Sequence, residues 1–213
     1  MTARSLRGRV SATHLILVAA LAAAVGLWAA SHYLTPPAPP KTQAALMYPA
    51  PRAVADFDLE RADGGRLGPA DWHGHWTVVF FGFTHCPDVC PTTLATFKQV
   101  WAKLAERGLA ERLRFDFISV DPQRDHAEQL ASYVGFFSKD FVAATGSDEQ
   151  LTRLTRSLGL LYAREPDGEG GYTVDHSASV VLIDPEGRLA GLFRPPFVVE
   201  PIVADLALLA GSR

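Results

Sequence analysis

The chain has 213 residues, with 20 Lys and Arg against 23 Asp and Glu and a formal net charge of −3; its pI is about 6.1. There is no basic excess and no stripe of aromatic and basic residues, which argues against a nucleic-acid partner. Behind an unusual N-terminal segment, about 160 residues remain, enough for one domain with a full core.

Residues 1–33 stand apart. Arg4, Arg7 and Arg9 precede an uncharged apolar run, Leu15 to Ala30. With Val10 to His14 included, the run reaches roughly the 20 residues that span a bilayer. An uncleaved single-pass anchor is expected, with the arginines cytoplasmic and the rest of the chain exported. A cleavable signal peptide is the alternative, although a cut after Ala30 would set bulky Trp28 three positions before it. Residues 34–50 contain Pro36, Pro37, Pro39 and Pro40 and read as an extended polyproline stalk. The folded domain is expected over 51–213.

Within that domain, Trp76 to Phe83 (WTVVFFGF) is a continuous run rich in β-formers, the pattern of a buried central strand. From Pro91 the chain reads as a helix, with Leu94, Phe97, Trp101 and Leu104 at helical spacing and Gly108 to end it. Leu113 to Val120 reads as a second strand. Asp125 is placed to cap a helix bearing Leu130, Val134 and Phe137. A short strand (FVAAT) and a helix from Asp148 follow, then the loop EPDGEGG. The stretch from Tyr172 reads as a strand, a Pro-Glu-Gly turn and a return strand, ahead of a closing helix. An early strand, then β-α-β-α-β-α, then a hairpin and a helix, imply an α/β fold with a mixed sheet flanked by helices.

The chain's two cysteines, Cys86 and Cys90, lie in FTHCPDVCP at the strand-to-helix turn. Unpaired N–H groups and the helix dipole there favour a thiolate. A structural disulfide is a weak explanation, because the domain is large enough without a staple and so short a ring adds little stability. The spacing suits either a redox disulfide or a pair of thiolates around a soft metal ion, and leaves both open. Of the seven histidines, His14 and His32 belong to the membrane segment, His73 and His75 to a loop, and His126 to a helix start. His85 adjoins Cys86, and His176 stands in a polar opening between Asp175 and Ser177.

Three ordered motifs carry a resemblance. Gly82 to Thr92 (GFTHCPDVCPT), Ile118 to Asp125 (ISVDPQRD) and Tyr172 to Gly187 (YTVDHSASVVLIDPEG) resemble the signatures of the Sco family, over about residues 50–210. The resemblance implies a thioredoxin-like fold and a role in cytochrome c oxidase assembly. It makes Cys86, Cys90 and His176 copper ligands for Cu(I) or Cu(II), with Asp121 as an auxiliary donor, Asp125 being the alternative match to the family's acidic residue. Where thioredoxins carry a cis-proline, this chain has Asp175-His176-Ser177.

The implied function is a copper metallochaperone for the binuclear copper site of oxidase subunit II, with a second periplasmic protein as copper donor. The alternative is a thiol–disulfide reductase, with Cys86 and Cys90 as the catalytic redox pair, that keeps the subunit II cysteines reduced. A metal-free thioredoxin-like reductase is a third and weaker reading. The short N-terminal segment points to a bacterial inner membrane, with the domain in the periplasm.

Overall fold

The computed structural model describes residues 11–33, 40–166 and 171–211. The expected cytoplasmic arginines, the stalk prolines Pro36, Pro37 and Pro39, and most of the EPDGEGG loop lie outside that range. Two compact units are present, split at Ala38 and Pro39. In the first, α1 (Ala12–Tyr33) has a mean hydropathy of 2.0. Its 22 residues give about 33 Å at 1.5 Å each, so length and composition suffice to cross a membrane, a test that a signal sequence also passes.

The second unit is built on an eight-stranded sheet in the order β1-β10-β9-β4-β5-β6-β2-β3. The strands are β1 (Ala45–Arg52), β2 (Leu59–Arg61), β3 (Arg66–Leu67), β4 (Trp76–Gly82), β5 (Leu113–Ser119), β6 (Val142–Thr145), β9 (Val180–Ile183) and β10 (Leu189–Phe193). Strands β4, β5 and β6 run parallel, while β9 runs antiparallel beside β4 and β10 antiparallel beside β9. Central β4 is buried from Thr77 to Gly82, as its unbroken apolar run requires. Phe80, Phe97, Phe115 and Phe117 are almost fully buried, and each such ring contributes roughly 2–3 kcal/mol of transfer free energy.

Helices flank the sheet. In α2 (Val89–Glu106) the predicted stripe of Leu94, Phe97, Trp101 and Leu104 is buried. Gly108, at φ +67, takes the left-handed conformation that closes the helix. Helix α3 (Ala127–Phe137) buries Leu130, Val134 and Phe137. Helix α4 (Asp148–Ser157) follows β6, and α5 (Val199–Gly211) packs on α2.

Three readings are corrected. Residues 45–50, assigned to the stalk, belong to β1, which pairs with β10 from Ala45 opposite Phe193. The anchor is remote in sequence: buried Asp205 of α5 accepts the N–H groups of Gln43, Ala44 and Ala45 at 2.7, 2.8 and 2.8 Å. Asp125 does not cap α3; His126 holds the N-cap position, with no side-chain cap bond. The stretch from Tyr172 is not one strand. It breaks after His176, giving β8 (Tyr172–His176), which pairs with β7 (Tyr162–Pro166) in a separate two-stranded ribbon.

Replacing Asp205 by Ala removes a charged acceptor from three backbone donors, and is expected to destabilise the domain by about 3 kcal/mol. Chemical denaturation of the full chain in detergent, followed by tryptophan fluorescence, measures this.

Candidate metal centre

The site forms at the carboxyl edge of the parallel strands, where α/β folds gather their ligands. Strands β4 and β5 end level, with Gly82 opposite Ser119. The loop after β4 carries Cys86 and leads into α2, whose second residue is Cys90. Strand β9 starts at the same edge, with Val180 opposite Phe80, so the chain arriving from His176 is delivered there too. Sequence places the three residues up to ninety positions apart, and topology brings them together.

The donor atoms of Cys86, Cys90 and His176 all lie within 4.8 Å of one another. Cys90 is fully buried, while Cys86 is partly exposed. The Cys90 N–H donates to the Cys86 sulfur at 3.3 Å. Because the N-cap residue Asp88 makes no side-chain cap bond, this sulfur serves as an acceptor for the helix N-terminus. The fit around Cys90 is close: a Cβ on Gly82 would stand 2.8 Å from the Cys90 sulfur and 2.9 Å from the Phe117 ring, so only glycine leaves room for the thiol.

Nε2 of His176 lies 3.4 Å from the Cys90 sulfur, and its Nδ1 lies 3.2 Å from the Ser177 carbonyl. A carbonyl only accepts, so Nδ1 carries the proton and Nε2 presents its lone pair to the cysteines. The rings of Phe80 and Phe83 meet the imidazole edge-on, with centroids 6.1 and 6.0 Å away. They hold its plane and keep an apolar surround. The two thiols differ sharply. A hydrogen bond from the Cys90 thiol, with smaller help from the backbone N–H groups of Cys90 and Asp88, holds Cys86 down at about 4. Donation to Cys86, followed by burial, pushes Cys90 far up. The pair therefore rests as one thiolate and one thiol.

Two further groups, both named from the sequence, shape the site in other roles than those expected. The buried carboxylate of Asp125 accepts the Thr84 N–H at 2.9 Å, the Thr84 hydroxyl at 2.6 Å and the Ser119 hydroxyl at 2.5 Å. It thereby ties the cysteine loop to the end of β5. Its place in DPQRD was visible, but Thr84, which it holds with two of these bonds, is 41 residues away. Asp121, the expected auxiliary donor, is fully buried and lies outside the three-donor group found among the described residues. Its carboxylate accepts from Arg124 Nε at 2.6 Å and from the Tyr172 hydroxyl at 2.7 Å. Of the remaining histidines, His85 is half-exposed and lies 3.1 Å from the Thr84 hydroxyl, and His126 is exposed.

A mixed sheet flanked by helices, with a cysteine pair at the first strand-to-helix turn and a histidine facing it, defines a thioredoxin-like protein carrying a potential Cys2His metal centre. Residues 47–211 match the SCO1/SenC family, and the chain belongs to it. A Stutzerimonas stutzeri protein that carries a provisional name as a copper-binding protein is 36% identical over 155 residues, covering 73% of this chain and 76% of its own length. A mitochondrial SCO2 homologue of Mus musculus is 36% identical over 152 residues, which are 71% of this chain but only 60% of that protein. The structure of Bradyrhizobium japonicum ScoI with copper bound matches with a TM-score of 0.67 and 31% identity, covering 73% of this chain and 98% of that one.

In the reduced, metal-free protein, alkylation of Cys86 by iodoacetamide is expected to stay near its neutral-pH rate down to about pH 5. An ordinary thiol would slow about tenfold per pH unit over that range. Replacing Cys90 by Ala removes the main donor to the thiolate and should move the midpoint upward. Peptide mass mapping of alkylation against pH reads both.

Proposed function

We propose that this protein is a copper metallochaperone for cytochrome c oxidase assembly, loading the binuclear copper site of subunit II. The observation that carries the reading is the convergence of two cysteine sulfurs and one imidazole nitrogen within 4.8 Å. Soft thiolates with an imidazole suit Cu(I), and Cu(II) would recruit a further donor such as water. Copper is here the cargo, and a partly exposed Cys86 beside a buried Cys90 gives it a route in and out. Membership of the family and the copper-bound relative support the assignment. In this reading α1 anchors the chain in a bacterial inner membrane, the domain lies in the periplasm, and a second periplasmic protein supplies the copper.

The depressed Cys86 thiolate favours a second activity at the same residues. Cys86 attacks one sulfur of a disulfide in subunit II, forming a mixed disulfide and releasing one partner thiolate. Its negative charge is then gone, and Cys90 gives its proton to the released partner thiolate. As a thiolate, Cys90 attacks the Cys86 sulfur and displaces the second partner sulfur, leaving Cys86–Cys90 oxidised and the partner reduced by two electrons, as one thiol and one thiolate.

Titration of the reduced full chain in detergent with Cu(I), against a competing chelator, should give one copper per chain. The His176→Ala variant should bind at least tenfold more weakly with its unfolding midpoint little changed. Equal affinity in the two proteins would sink the ligand assignment. Reductase activity retained by that variant, with copper transfer lost, separates the two activities.

A further inference from the structure

The ribbon that carries His176 has no strand ladder to the main sheet. Its site end pairs Tyr162 with His176, and its far end pairs Pro166 with Tyr172. What ties the far end down is a compact group around Arg124, on the loop after β5. The Arg124 guanidinium carbon lies 3.9 Å from the centroid of the Tyr172 ring, and Nη1 donates to the Tyr172 carbonyl at 3.0 Å. Its Nε donates to Asp121, which also accepts the Tyr172 hydroxyl. The same guanidinium lies 5.9 Å from the centroid of Phe83, one of the two rings against His176. Arg124 thus touches both the ribbon and the wall of the imidazole. Arg164 of β7 adds a second tie, with two bonds at 2.6 and 3.2 Å to Asp148 at the start of α4.

We propose that Arg124 is a positioning residue for the His176 donor. Clamped on Tyr172, it fixes the tilt of the ribbon, and so the distance of Nε2 from the two sulfurs. Tyr172 and His176 are four residues apart on one strand, a lever of about 13 Å. A tilt of about ten degrees would therefore move the imidazole by roughly 2 Å, enough to break ligation. A single planar cation suits the task, because it can stack on the ring and bond the carbonyl and carboxylate together. A lysine ammonium cannot do all three. This role accounts for Asp121 as well: its carboxylate orients the clamp.

The effect on copper rests on the metallochaperone reading, so the test has one arm with metal and one without. The proteins are wild type, Arg124→Ala, Arg124→Lys, Tyr172→Leu, His176→Ala and the Arg124→Ala/His176→Ala double variant, each as the reduced full chain in detergent. Without metal, the ring-nitrogen NMR shifts of His176, assigned by their loss in His176→Ala, are expected to move in both Arg124 variants and in Tyr172→Leu. With Cu(I), the same three variants should bind at least tenfold more weakly than wild type, and X-ray absorption should show loss of the nitrogen donor with both sulfurs kept. The double variant should bind no more weakly than His176→Ala alone. Unmoved His176 shifts in the Arg124 variants overturn the clamp, as does a loss that adds to that of His176→Ala. Rescue by Lys counts equally against it. If wild type binds no Cu(I), the copper reading falls while the imidazole shifts still decide the clamp. If Arg124→Ala does not fold, Arg124→Lys and Tyr172→Leu carry the same comparison.

Discussion

The N–H of Cys90 donates to the sulfur of Cys86 at 3.3 Å, and most of what the site can do depends on that contact. It places a polarisable anion where a helix start has unpaired donors, so the thiolate and the helix stabilise each other. It acts beside the larger effect, the hydrogen bond from the Cys90 thiol, that sets the asymmetry of the pair. Once Cys86 holds the charge, Cys90 is left as the proton donor, buried beneath it. A C-x-x-x-C segment on a free loop would have two similar thiols. On a helix N-terminus it has one nucleophile and one latent partner.

That contact needs a scaffold that leaves space for it. Gly82 ends β4 where the Cys90 sulfur passes, and any side chain there would meet the sulfur or the Phe117 ring. Asp125 then ties Thr84, two residues before Cys86, to Ser119 at the end of β5. Because β4 and β5 end level, the tie is short and the loop is held at both ends. The cysteines are therefore placed by the rigid part of the fold. The histidine comes from a ribbon outside the main sheet, held by its chain connection to β9 and by side-chain ties such as Arg124 to the Tyr172 carbonyl.

This division explains what the sequence made legible. Strand β4, helix α2 and the cysteine turn announce themselves locally, through an apolar run, a helical stripe and a motif. Each could be read in place, as could the mixed α/β order. What could not be read locally was misread. The stalk seemed to run on to residue 50 because a strand at the sheet edge carries a weak pattern, and its anchor, Asp205, lies 160 residues away. Asp125 resembled a helix cap because the residue type and position fit one. Its actual partners lie on two other segments. The break after His176 was hidden because Tyr172 to Ile183 alternates like a single strand, though the two halves pair with different neighbours.

Asp121 shows why a carboxylate near a metal centre need not be a ligand. Its two oxygens already accept from Arg124 and from Tyr172, and it is sealed from water. Drawing it to a copper ion would leave a guanidinium and a phenol without their acceptor, a cost of roughly 1–3 kcal/mol for each bond lost. The charge at the site makes that move less favourable still. Cu(I) held by two thiolates and a neutral imidazole would give a centre with one net negative charge. A second carboxylate would add repulsion to an anion already held in an apolar wall of Phe80 and Phe83. A cation near that wall would offset it, and the Arg124 guanidinium lies 3.9 Å from the Tyr172 centroid and 5.9 Å from that of Phe83. Under the clamp proposed above, the DPQRD segment would act on the centre by orientation and charge balance, through its arginine, while its first acid holds that arginine.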